Sequence, residues 1–156
     1  MKRLTIKGII FDLDGTLVDT LDDLTDSMNA GLAALGCATR TPDECREMIG
    51  NGLTRFAERA LGSQNVILRD RLLEAMTTHY KSNCLNKTRP YDGLPKVIAS
   101  LRQKGLRLAV LTNKNQAPAE VITRHYFGAE AFDPIIGYAP GRLAKPDPQG
   151  VSDILD

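Results

Sequence analysis

The sequence predicts an α/β protein, a parallel sheet with helices on its faces and a helical block inserted after the first strand. Three observations carry that expectation. An apolar run rich in branched residues begins near Leu4 and stops at Asp12-Leu13-Asp14-Gly15, the pattern of a buried strand closed by a turn. Residues 18–88 then repeat apolar positions at helical spacing and contain no convincing strand. Beyond them helix and strand patterns alternate, which implies parallel strands joined by crossover helices.

Taken in order, Leu21, Leu24, Met28, Leu32 and Leu35 mark an amphipathic helix that Gly36 ends, with Thr20 and Asp23 able to cap its start. Thr41-Pro42-Asp43-Glu44 has the form of a capping box with proline at the first helical position, opening a short helix. Gly50-Asn51-Gly52 interrupts the pattern. Leu53, Phe56, Ala57, Ala60 and Leu61 then form a stripe that closes at Gly62, and Val66 to Asn83 forms a longer helix with Leu68, Leu72, Met76 and Tyr80 inward. A turn at Tyr91–Pro95 leads to a helix presenting Val97, Ile98 and Leu101 and ending at Lys104-Gly105. Leu108 to Leu111 make a second buried strand that ends in Thr112-Asn113-Lys114-Asn115. Pro118 suits the first turn of the helix anchored by Val121, Ile122 and Tyr126. Phe132–Tyr138 is a short third strand, Lys145 lies in the following loop, and Gln149 to Asp156 begin a helix. The expected organisation is a discontinuous core, residues 1–17 and 89–156, around a helical cap at 18–88.

Composition narrows the function classes. With 20 Lys plus Arg against 19 Asp plus Glu, the net charge is +1 and no basic run stands out, which argues against nucleic acid as the main partner. No apolar segment approaches the roughly 20 residues of a membrane helix, and the amino terminus lacks a signal-peptide layout, so no membrane partner is expected. Cys37, Cys45 and Cys84 are odd in number and lack paired spacing, as expected of reduced thiols in a cytoplasmic protein. His79 and His125 stand apart from any ligand-type cluster and are expected to be packing or surface residues.

Chemistry is expected where the first strand ends, because ligands of open α/β sheets sit outside the carboxyl ends of the strands. Asp12 and Asp14, two residues apart, leave the strand on one side while Leu13 points away. On residue types alone other readings stay open: Asp-Leu-Asp-Gly is also an ordinary strand-to-loop junction, Thr112-Asn113 ordinary turn chemistry, and Lys145 a solvated loop lysine.

The longer string Phe11-Asp12-Leu13-Asp14-Gly15-Thr16-Leu17-Val18-Asp19-Thr20 closely resembles the signature of the haloacid dehalogenase (HAD) superfamily. Leu111-Thr112-Asn113 and Lys145-Pro146-Asp147-Pro148 resemble its second and third motifs, in the right order. The resemblance implies a Rossmann-like parallel sheet and a Mg²⁺-dependent phosphomonoester hydrolase working through an aspartyl-phosphate. It makes Asp12 the nucleophile, Asp14 the general acid and base, and Lys145 the stabilising cation. Thr112 and Asn113 hold the phosphoryl oxygens, and Mg²⁺ is bound by the Asp12 side chain and the Asp14 carbonyl. A carboxylate at Asp14 favours phosphoryl transfer over dehalogenation, which needs no acid there. Met48-Ile49-Gly50-Asn51-Gly52, Arg59-Ala60-Leu61 and Leu111-Thr112-Asn113-Lys114 resemble the phosphoglycolate phosphatase branch, making 2-phosphoglycolate the expected substrate and Asn51, Arg55 and Arg59 candidate specificity residues, although either arginine could equally lie on a solvated helix face.

The resemblance also implies a fourth, acidic motif supplying further Mg²⁺ ligands, and nothing from Lys145 to Asp156 matches it. The C-terminal part of the core is therefore expected to be missing. The chain alone is expected to be weakly active or inactive and open to self-association through an unpaired sheet edge. Competing expectations are a sugar-phosphate mutase or other phosphatase of the superfamily, and a non-catalytic interaction or regulatory protein that retains the fold.

Overall fold

The computed structural model describes residues 6–155; Leu4 and Asp156 of the expected first strand and last helix lie outside them. In chain order the elements are β1 (Gly8–Phe11), β2 (Val18–Asp19), α1 (Leu21–Ala34), α2 (Pro42–Met48), α3 (Gly52–Asn65), α4 (Arg69–Asn83), β3 (Arg89–Pro90), α5 (Leu94–Gln103), β4 (Arg107–Asn115), α6 (Gln116–Phe127), β5 (Ile135–Tyr138) and α7 (Gln149–Leu155). They form two compact units, one made from residues up to Val18 and from Pro90 onward, the other from Asp19 to Arg89.

The first unit holds a parallel sheet in the order β1-β4-β5, with Gly8 beside Arg107 and Phe11 beside Val110. Its core is made by Leu108 and Val110 of the middle strand with Ile98 of α5 and Ile122 of α6. Edge-to-face aromatic pairs, Phe11–Phe132 and Phe127–Phe132, close one end.

Three expectations are corrected here. β1 is not fully buried: among the described residues it pairs with β4 alone, and Ile10 is 36% exposed because a strand at a sheet edge is covered on fewer sides. Val97 and Val121 do not face inward; each is exposed, and their helices pack through the neighbouring Ile98 and Ile122. The middle strand does not stop at Leu111 but continues to Asn115. Its register with β5 shifts on the way, since β4 advances four residues from Leu111 to Asn115 while β5 advances two, from Ile136 to Tyr138. Extra residues of this kind bend a strand and re-aim its side chains.

The second unit is helical, but not wholly so. The two-residue strands β2 and β3 pair with each other at the two ends of this segment; β2, at Val18–Asp19, falls within residues 18–88, where no strand was expected, and β3 begins just beyond them at Arg89. The helix expected from Val66 begins instead as a 3-10 turn, Val66–Leu68, before α4. Gly62 interrupts α3 with φ 67°, a left-handed conformation that glycine adopts without a Cβ penalty. Gly31 lets α1 and α4 approach closely, since a Cβ there would lie 2.7 Å from Leu72 Cδ1.

The capping box of α2 forms as its sequence dictates: the Glu44 amide donates to Thr41 Oγ1 at 3.2 Å, and the Thr41 amide donates to Glu44 Oε2 at 2.7 Å. The second bond, to the charged carboxylate, holds the Glu44 pKa below its usual value. At α1 the expected cap is absent. Thr20 makes no side-chain capping bond, and Asp23, only 1% exposed, reaches across its unit to accept from the amides of Lys87 (2.9 and 3.0 Å) and Thr88 (2.8 Å). Two amide donors outcompete the helix terminus because a buried carboxylate needs several bonds in place of water. Beside this clamp, Lys87 Nζ pairs with Asp26 at 2.7 Å.

Candidate active site

The turn after β1 is built to hold two carboxylates still. The Leu13 carbonyl accepts from the amides of Thr16, Leu17 and Val18 at 3.2, 2.9 and 3.2 Å, and the Gly15 amide donates back to Val18 at 2.9 Å. Such a tight reversal needs φ 76° at its tip, which Gly15 supplies. Leu13 itself is fully buried. Asp12 and Asp14 on either side of it remain 44% and 20% exposed.

Each carboxylate meets one lysine. Lys145 Nζ lies 2.9 Å from Asp12 Oδ1, and the same oxygen accepts from the Leu13 amide at 2.7 Å. Lys114 Nζ lies 2.9 Å from Asp14 Oδ1. The Lys145 ammonium also donates to the Leu111 carbonyl at 3.0 Å, so it is fixed between the ends of two parallel strands.

Asn113 locks the lysine loop to the sheet. Its Oδ1 accepts from the Lys145 amide at 2.7 Å, and its Nδ2 donates to the Lys145 carbonyl at 3.2 Å. Thr112 is buried, and its hydroxyl oxygen accepts from the Lys114 amide at 3.2 Å. The structure thus gathers Asp12, Asp14, Thr112, Asn113 and Lys145 within the first unit, at the carboxyl ends of β1 and β4.

The other three candidates belong to the second unit. Asn51 is exposed at the start of α3 without a side-chain capping bond. Arg55 is exposed on α3, and the Arg59 guanidinium donates to the Met48 carbonyl at 2.9 Å. His79 packs as expected, its Nδ1 2.9 Å from Ser27 Oγ.

Lys114, the last residue of the Leu111-Thr112-Asn113-Lys114 string, is a site residue to which sequence reasoning gave no role. It stands in the polar run read as the end of a strand, where a lysine is ordinarily solvated, yet its side chain is only 4% exposed. The available signal was its spacing, two residues beyond Thr112 in a strand that continues.

A hard divalent cation takes oxygen ligands, and the two carboxylates are of the right kind. Among the described residues, no three or more Asp, Glu, His or Cys side chains gather where they could hold a metal ion. The Asp12 carboxylate and the Asp14 carbonyl are oxygen ligands of the kind Mg²⁺ takes, and would supply only part of a coordination shell.

Acids and lysines paired at the ends of parallel strands, beside a threonine and an asparagine, define an α/β core with a cluster of charged and hydrogen-bonding groups at its carboxyl edge. Comparison with known proteins narrows it: residues 9–156 match the haloacid dehalogenase-like hydrolase family, and the chain belongs to that family. It is 36% identical over 151 residues to a phosphoglycolate phosphatase of Mesorhizobium japonicum, a match covering 94% of this chain and 66% of that protein. It is 31% identical over 150 residues to an N-acetylmuramic acid 6-phosphate phosphatase of Pseudomonas aeruginosa, covering 96% and 66%. The crystal structure of a predicted phosphoglycolate phosphatase from Haemophilus somnus superposes with a TM-score of 0.86 at 26% identity, covering 95% of this chain and 69% of that one. The chain spans about two thirds of the length of the curated relatives it matches. Among the described residues no helix is long and apolar enough to cross a membrane.

Proposed function

We propose that the protein hydrolyses a small phosphomonoester through an aspartyl-phosphate on Asp12. The observation that carries this reading is the fixed Asp12–Lys145 pair, held from behind by Asn113. Both bonds to Asp12 fall on Oδ1, which orients the carboxylate and supports Oδ2 as the oxygen that attacks phosphorus. The Lys145 ammonium offsets the repulsion between an anionic nucleophile and an anionic phosphoryl group. The Thr112 hydroxyl and the Asn113 amide supply donors for phosphoryl oxygens.

As Asp12 Oδ2 bonds to phosphorus, the bond to the leaving oxygen breaks, and the Asp14 carboxyl group gives that oxygen its proton. Asp14, now a carboxylate, takes a proton from water as the water oxygen attacks the aspartyl-phosphate. Inorganic phosphate leaves, and the Asp12 carboxylate is restored. Mg²⁺, when bound by the Asp12 side chain and the Asp14 carbonyl, contributes further charge neutralisation.

Similarity to the phosphoglycolate phosphatases supports 2-phosphoglycolate as substrate; Asn51, Arg55 and Arg59 remain the residues proposed to select it. Similarity to the N-acetylmuramic acid 6-phosphate enzyme favours a sugar phosphate as the second reading. Hydrolysis of both, and of p-nitrophenyl phosphate, with and without Mg²⁺ decides between them. The expected result for this chain alone is weak Mg²⁺-dependent phosphate release that Asp12→Asn abolishes. Equal release by Asp12→Asn refutes the proposal, and capture of phosphate mimics without turnover supports a binding role instead.

A further inference from the structure

We propose that Lys114 is a positioning residue for proton transfer, holding the Asp14 carboxyl group in the attitude from which it meets the leaving oxygen. The inference rests on the reading of Asp12 and Asp14 given above. Its starting point is an asymmetry between the two lysines: Lys145 is 30% exposed beside the nucleophile, whereas the Lys114 side chain is 4% exposed and directed at the second acid.

An ammonium is costly to remove from water without a partner, and the bond to Asp14 Oδ1 at 2.9 Å supplies one. The backbone of Lys114 is fixed as well. Its amide donates to Thr112 Oγ1, and its carbonyl lies where a Cβ on Gly137 would come within 2.7 Å, so β5 is seated against it. Gln116 completes the support, donating to the Ile135 carbonyl and accepting from the Gly137 amide. The register shift in β4 covers this stretch and sets the direction in which Lys114 leaves the strand. A lysine so constrained fixes a carboxylate better than the Asp14 backbone alone does, because the side-chain torsions of an aspartate with 20% exposure otherwise turn toward solvent.

The role predicts a dependence on leaving group that general stabilisation does not. An ester that leaves as p-nitrophenolate needs little proton donation, whereas n-butyl phosphate cannot leave without it. Initial rates are measured for the full chain and for Lys114→Met and Lys114→Gln, with circular dichroism confirming the fold of each. The variants are expected to lose about 100-fold in kcat on n-butyl phosphate and under about 3-fold on p-nitrophenyl phosphate. In a crystal structure of Lys114→Met the Asp14 carboxylate is expected to have turned away. Equal losses on both esters, a rise in KM alone, or an unmoved Asp14 would overturn the positioning role while leaving the hydrolase reading intact. A wild-type chain whose hydrolysis of p-nitrophenyl phosphate does not depend on Asp12 would overturn both.

Discussion

Asp23 offers the sharpest test of how the second unit is held together. Its carboxylate accepts from two main-chain amides more than sixty residues away, those of Lys87 and Thr88, and the Thr88 bond is buried. Asp23→Ala strands both donors. A buried donor left unmade costs about 1–3 kcal/mol, and the Lys87 amide, only partly buried, recovers some of that from water, so the expected loss is roughly 3 kcal/mol. For a chain of this size that corresponds to about 6–12 °C in Tm. Asp23→Asn keeps one acceptor but sets an amide N–H against the Lys87 donor, and about half the loss is expected. Urea unfolding followed by circular dichroism reads the free energies, and amide hydrogen exchange reads Lys87 and Thr88 directly. A change within about 0.5 kcal/mol for Asp23→Ala, or wild-type amides that exchange as in an unfolded chain, would refute the clamp.

Other substitutions test other links. Gly137→Ala is expected to cost about 1–3 kcal/mol, because the new Cβ would meet backbone at Lys114 and Gln116, which cannot swing aside; a neutral result in thermal unfolding would contradict that packing. Thr41→Ala should cost about 1 kcal/mol by removing the cap of α2. The Glu44 pKa lies below its unfolded value, so its contribution is present above the unfolded pKa of about 4.5 and is lost as pH falls through the folded one; a wild-type against Glu44→Gln difference unchanged by acid would refute it. Burial raises the Cys45 pKa above 9.0, so mass spectrometry after iodoacetamide treatment should show Cys37 alkylated first and Cys45 only on unfolding.

The elements were readable where local chemistry and tertiary packing agree. Gly15 and Gly36 adopt the positive φ their turns require, and the Thr41-Pro42-Asp43-Glu44 box caps its helix as its four residues specify. Legibility failed where a distant partner decides. Asp23 has the composition of a cap residue, but nothing in its neighbourhood announces the amides of Lys87 and Thr88. Ile98 and Ile122 face inward as the helical stripe requires, yet their neighbours Val97 and Val121, one position round the helix, are turned to solvent. Around the candidate site the motifs located the two acids, while the ammonium that faces Asp14 was hidden in a polar run because its burial depends on a strand that continues past Leu111 and shifts register there.

The central claim is covalent chemistry at one carboxylate, and trapping is its most direct test. The chain is mixed with substrate and Mg²⁺, quenched with borohydride to reduce any aspartyl-phosphate to homoserine, and digested for mass spectrometry. The account predicts homoserine at position 12 in the wild type and none in Asp12→Asn. Turnover of substrate with an unmodified Asp12, or reduction at any other carboxylate, would contradict it.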